Sequence, residues 1–216
     1  MTTFFQLFTF FFLYSLLGWI AEVIYNYIAE KKFINTGFLI GPYCPIYGIN
    51  AIIMIYYLNQ YADNPLTVFI LAFVISGIIE YLTSYFMEKI FHARWWDYSD
   101  FSFNINGRIC LRFLVFFGIL ALLLIYVLNP IITNILTPFN NIMLIISIIL
   151  FILFLTDVVT SLNVGYKVRE KLTNIHEKTE KITKELLSEA IEKNKYLQKR
   201  LIKSFPQLKP IKIKKK

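Results

Sequence analysis

No lysine or arginine precedes Lys31, and between Arg112 and Lys167 the only charged residue is Asp157. A water-exposed surface cannot be built from stretches so poor in charge. The missing early basic residues also argue against a removable signal peptide: the first apolar run exceeds the usual h-region, and no small-x-small cleavage site occurs before Glu30. The chain contains no Gly-x-x-x-x-Gly-Lys-Ser/Thr, which excludes nucleotide hydrolysis by the P-loop route. It has no Cys-x-x-Cys or His-Glu-x-x-His, and His92 and His176 stand alone, so no zinc site is indicated. Carboxylate-only magnesium binding by Glu22, Glu80 and Asp97 has weak support, and the sequence calls for no metal or cofactor.

What is present is apolar. Hydrophobic residues make up 57% of the 216 positions, against 17% charged, in several long runs that only lipid solvates. A hydrocarbon core of about 30 Å takes about 20 helical residues. Five runs qualify as spans of an all-α integral membrane protein: about Thr3 to Ile28, Pro45 to Leu58, Leu66 to Met87, Leu111 to Leu128 and Asn141 to Ser161. The second is approached through Gly37-Phe-Leu-Ile-Gly-Pro-Tyr-Cys-Pro, whose prolines and glycines predict a broken or re-entrant start over residues 37–48. All six basic residues before the tail lie in loops one and three, placing the N-terminus outside and the C-terminus inside.

The charge divides sharply. Residues 1–166 carry 6 Lys/Arg and 8 Asp/Glu, whereas 167–216 carry 16 and 6. The divisions expected are a transmembrane domain over 1–165, a cytoplasmic amphipathic helix or short coiled coil over 166–205, and a disordered basic end over 206–216. Val168, Leu172, Ile175, Thr179, Ile182 and Leu186 follow a heptad seam, suited to a partner helix or to lying along headgroups. Beside a bilayer, such a tail meets the anionic leaflet in preference to nucleic acid.

One stretch occurs twice. Ile20 to Phe33 and Ile78 to Phe91, 58 positions apart, match at six of fourteen positions, including Glu22/Glu80 and Glu30/Glu88. Each copy leads to Gly-x-x-Cys, ending at Cys44 and at Cys110. A 2+2 parallel repeat plus one further span is the arrangement this predicts. Helical spacing puts Ser15, Gly18, Glu22 and Asn26 on one face, and Ser76, Glu80, Ser84 and Glu88 on another. Both acids then lie roughly 9 to 12 Å above the cytoplasmic surface. A carboxylate at that depth costs a few kcal/mol without a partner, so it marks a functional position by default. Glu30 and Glu88, beside Lys31 and Lys89, read as interfacial residues.

The third loop offers partners beneath those acids. Asp97, Asn104, Asn106 and Arg108 supply donors and acceptors, and Arg108 could clamp a carboxylate in bidentate fashion. Trp95, Trp96 and Tyr98 read first as an interfacial aromatic belt. Cys44 and Cys110 read as small packing residues, since no base adjoins either in sequence.

Gly18-Trp19-x-x-Glu22, Gly41-Pro42-x-Cys44-Pro45-x-Tyr47-Gly48, Glu80 followed by Trp96-Asp97-Tyr98, and Gly107-Arg108-x-Cys110-Leu111 together resemble a bacterial membrane family described as putative ABC-transporter type IV, or CmpB-like. The resemblance covers about residues 10–160. It implies a bacterial inner-membrane protein acting as a permease subunit. On that reading an ATP-driven cycle needs a separate ATPase chain as partner, and so few spans call for a homodimer to complete the pathway. Two other readings stand beside it. One is a membrane-embedded enzyme or lipid-headgroup-binding protein at the cytoplasmic leaflet, although no nucleophile, base and oxyanion donor can be assigned by spacing. The other is a scaffold recruiting a partner through its tail.

Overall fold

The computed structural model describes residues 4–136, 140–178, 196–205 and 208–210. Helix α1, Phe4–Glu30, is followed by an irregular segment and the short α2, Pro45–Leu58. A single 3-10 turn, Asn59–Tyr61, leads to α3, Pro65–Phe91. Asn64 caps α3 by accepting from the Thr67 amide at 3.1 Å, and Pro65 occupies the first turn, where its missing N–H costs nothing. The third loop contains β1, Ala93–Arg94, and the hairpin of β2, Asn104–Ile105, with β3, Ile109–Cys110.

The helix from Leu111 is longer than the fourth apolar run predicts. It runs as α4, Leu111–Leu123, a π turn over Leu124–Leu128, and α5, Asn129–Leu136. Pro130 explains the π turn. In an unbroken α-helix its ring would clash with the carbonyl four residues earlier, and widening the coil by one residue relieves that clash. The loop expected from Asn129 is therefore helical through Leu136. Helix α6, Asn140–Lys178, is 39 residues long, about 58 Å at helical rise, and overshoots a hydrocarbon core.

Among the described residues, four stretches are long and apolar enough to cross a membrane: Phe4–Ala29, Pro65–Phe91, Leu111–Leu136 and Leu144–Glu170. The remaining expected span, α2, has 14 residues, or about 21 Å of helix, and begins partway along α1. One apolar core joins Tyr14 of α1, Ala51, Met54 and Leu58 of α2, Val68 and Ala72 of α3, and Ala121, Leu124 and Ile125.

The tail does not lie apart from this bundle. Helix α7, Tyr196–Ser204, docks against it, and β4, Lys209–Pro210, pairs antiparallel with β1. Phe91, Ala93, Trp95, Val168 and Leu201 form a second buried cluster there. The first seam residue, Val168, thus packs within the chain, and Thr179, Ile182 and Leu186 lie outside the described residues.

Candidate polar site within the helix bundle

The site begins with the chain turning back on α1. After Lys31 the backbone returns alongside α1 with no helix, and its level can be read from contacts. Trp19 Nε1 donates to Asn35 Oδ1 at 2.9 Å, the Tyr43 ring lies 5.0 Å from that of Phe12, and the Cys44 amide donates to the Ser15 carbonyl at 3.0 Å. Irregular backbone at that depth needs protein to cover its polar groups. Asp157 on α6 supplies one half, accepting from the amides of Ile40 at 2.9 Å and Gly41 at 2.7 Å, and from the Tyr43 hydroxyl at 2.6 Å. The tail supplies the other half. Arg200 donates to the carbonyls of Gly37 at 3.3 Å and Phe38 at 3.5 Å, and the Ser204 hydroxyl donates to the Asn35 carbonyl.

Close approach then brings α2 onto the acid of α1. A Cβ added at Gly18 would lie 2.4 Å from Tyr47 Cβ, and one at Gly48 would lie 2.4 Å from the Phe11 carbonyl oxygen, so only glycine permits this spacing. With the helices so near, the Tyr47 hydroxyl donates to Glu22 Oε1 at 2.9 Å. The Cys44 thiol lies 3.5 Å from Glu22 Oε2.

On α3, Ser76, Glu80 and Ser84 are all buried, as their spacing predicts. Tyr98 reaches up from the third loop and donates to Glu80 Oε1 at 3.1 Å. Burial and the nearby carboxylate push the Tyr98 phenol well up, so it stays a donor. Glu80 Oε2 and Ser76 Oγ are buried with no hydrogen-bond partner among the described residues.

Arg108 is buried, but its carboxylate is neither Glu22 nor Glu80. Its Nη2 lies 2.9 Å from Glu88, and its Nη1 donates to Ser84 at 3.2 Å. The faces of Tyr81 and Tyr85 flank the guanidinium at 5.6 Å each. Arg94 contacts the same Glu88 at 3.2 Å and Asp97 at 3.5 Å. Glu88 is therefore a hub for two arginines and not a solitary interfacial residue. It wins over Glu80 because it sits two turns nearer the loop, where partial exposure lowers the cost of bringing three charges together.

The remaining loop residues do local work. Asn104 holds the β2–β3 turn, accepting from the Gly107 amide at 3.0 Å and donating to the Phe101 carbonyl at 2.8 Å. Asn106 donates to the Tyr81 hydroxyl at 2.9 Å on the exposed side. Asp97 accepts from the Ser99 amide and hydroxyl at 3.1 and 2.5 Å. Cys110, fully buried and free like Cys44, precedes α4 as Cys44 precedes α2. The aromatic belt expected of Trp95, Trp96 and Tyr98 gives way to packing: Trp95 is 3% exposed against Phe38, Phe91 and Phe205, and Trp96 Nε1 donates to the Arg108 carbonyl.

Asp157, Tyr43, Tyr47 and Arg200 had no assigned role in the sequence reading, and Tyr98 was read there as a belt residue. Asp157 carried the clearest signal, as the lone charge in its apolar run. Arg200 carried none, being one of many basic residues in the tail.

Long apolar helices enclosing an irregular segment and buried acids define a multi-pass α-helical membrane protein. The chain belongs to the family described as putative ABC-transporter type IV, whose model matches residues 9–162. No curated protein and no solved structure matches it.

Proposed function

We propose that the chain is the membrane subunit of a transport system, with a polar site between α1 and α3 near the cytoplasmic face and a separate ATPase subunit as its motor. The family supports the transport class. The observation that carries the location is the pair Glu22 and Glu80, held by Tyr47 and Tyr98 where the irregular segment enters the bundle. Broken backbone beside buried polar groups near a repeat interface is how many transporters form their sites. The parallel repeat fits this reading: α1 and α3 are both 27 residues long, and Cys44 precedes α2 as Cys110 precedes α4. The basic residues of loops one and three favour the N-terminus outside and the C-terminus inside, in a bacterial inner membrane. A homodimer would widen the pathway, and anionic lipid would meet the tail.

A second reading, binding of a phospholipid headgroup at the cytoplasmic leaflet, is favoured by one observation. Between α6 and α7 lies a cavity of about 430 Å³, lined by Thr160, Asn163, Lys167, Tyr196 and Gln198 among others. Purification in mild detergent from the native host separates the two. A stoichiometric complex with a chain carrying a P-loop, whose ATP hydrolysis depends on this subunit, supports transport. Isolation with bound anionic phospholipid and no such ATPase would overturn it in favour of the second reading. Cysteines placed at Asp63 and Lys32, both exposed, test the orientation. An impermeant maleimide added outside intact cells should label the first and spare the second.

A further inference from the structure

Glu80 is buried and Glu22 half-buried, and among the described residues every side-chain donor that reaches either acid is neutral. Glu22 receives the Tyr47 hydroxyl and the Cys44 thiol, and Glu80 receives the Tyr98 hydroxyl. The neighbouring cations are engaged elsewhere: Arg108 by Glu88 and Ser84, Arg94 by Glu88 and Asp97, and Arg200 by the Gly37 and Phe38 carbonyls, with Asp157 as an acid acting on it. An ionised Glu80 with no cation bound to it would lose its hydration without compensation.

Glu80 also shows where a missing positive charge would sit. It is 5% exposed, its Oε1 is taken by Tyr98, and its Oε2 is bare. One turn earlier on the same face, Ser76, 1% exposed, carries a second bare oxygen. A proton on Oε2 removes the charge that this bare, buried oxygen would otherwise carry unpaired. The other titratable groups near Glu80 are Glu22 from α1, Tyr47 and Cys44 from α2 and its entry, Tyr98 and Cys110 from the third loop and β3, and Glu88 on α3 itself. None of them brings a positive charge.

We propose, building on the reading of this site as transport-related, that Glu80 is the proton-binding acid of the site and carries a proton on Oε2 at neutral pH. The ligand of the site is then a proton.

Infrared spectroscopy of the full chain in lipid tests this directly. At neutral pH the wild type should show the carbonyl stretch of a protonated carboxyl, shifted by exchange into deuterium oxide. Glu80→Gln should lose one such band, and Glu88→Gln, which alters the arginine-paired acid, should keep it. Because Gln is the neutral isostere of a protonated Glu, Glu80→Gln should fold with an unchanged or higher Tm, whereas Glu88→Gln should lower it. The absence of a protonated band in the wild type would overturn the proposal, as would a band that appears only when sodium is removed, which would make the ligand a metal cation. Neither result depends on whether an ATPase co-purifies.

Discussion

Replacing Asp157 by alanine should open the irregular segment without unfolding the bundle. The carboxylate accepts from the Ile40 and Gly41 amides at 2.9 and 2.7 Å, from the Tyr43 hydroxyl at 2.6 Å, and from Ser161 at 2.8 Å. Ser161 can turn to its own helix carbonyl, which leaves three donors stranded. Each hydrogen bond to a charged group contributes about 1.5–3 kcal/mol, and stranded donors near the surface recover part of that from water. A net loss of about 3 kcal/mol in the closed segment is the result, equivalent to about 100-fold more frequent opening at 1.4 kcal/mol per decade. Cys44 reports it. Its thiol is 4% exposed at the end of that segment, while Cys110, 0% exposed behind the third loop, is remote from Asp157 in sequence and serves as the internal control. Maleimide labelling of the detergent-solubilised protein should accelerate about 100-fold at Cys44 and little at Cys110. Equal acceleration at both cysteines would mean global loosening and refute the latch, and no acceleration at Cys44 would show that the three bonds to Ile40, Gly41 and Tyr43 do not hold the segment.

Gly48→Ala should lower the unfolding free energy by about 1–3 kcal/mol, because the added methyl meets the Phe11 carbonyl at 2.4 Å and the helix must shift; thermal unfolding in detergent measures it. Arg108→Met should cost about 2 kcal/mol, less than a fully buried broken pair, since Glu88 keeps Arg94 at 3.2 Å; a chemical denaturation midpoint checks the figure, and a loss above 4 kcal/mol would show that Arg94 does not compensate. Leu201→Ala, at a side chain 1% exposed, should cost about 2–5 kcal/mol of tail docking, red-shift the fluorescence of Trp95, and speed proteolysis between α6 and α7; an unchanged emission would mean that the tail does not cover Trp95.

How much of this was legible in the letters differs from residue to residue. Glu22 and Glu80 stood out because an ionisable residue in an apolar run has few explanations. The three- and four-residue steps around Glu80 correctly gave its buried face, since a helix fixes angular position from spacing alone. Gly37 to Pro45 announced irregular backbone for an equally local reason. The two arginines on Glu88 were not legible, because its position at a helix end is the same whether solvent or two arginines lie beyond it. Trp95 was misjudged, since a belt residue and a packed one have identical sequence surroundings. Pro130 could be read as a stop, but only the packing of its helix decided that a π turn would carry the chain past it.

The sequence by itself determined the solvent, the long apolar helices, the placing of two acids within them and the break before α2. Those properties follow from composition and from short-range periodicity. The tertiary structure alone decided that Arg108 serves Glu88, that Asp157 and Arg200 share the exposed backbone of residues 37–41, and that Tyr47 and Tyr98 are the donors to the acids. These contacts join positions from 18 to 163 residues apart, and no spacing rule reaches that far. The basic tail shows the difference most clearly: its charge predicted a lipid or a partner, while its docking was set by carbonyls that only the folded chain leaves unpaired.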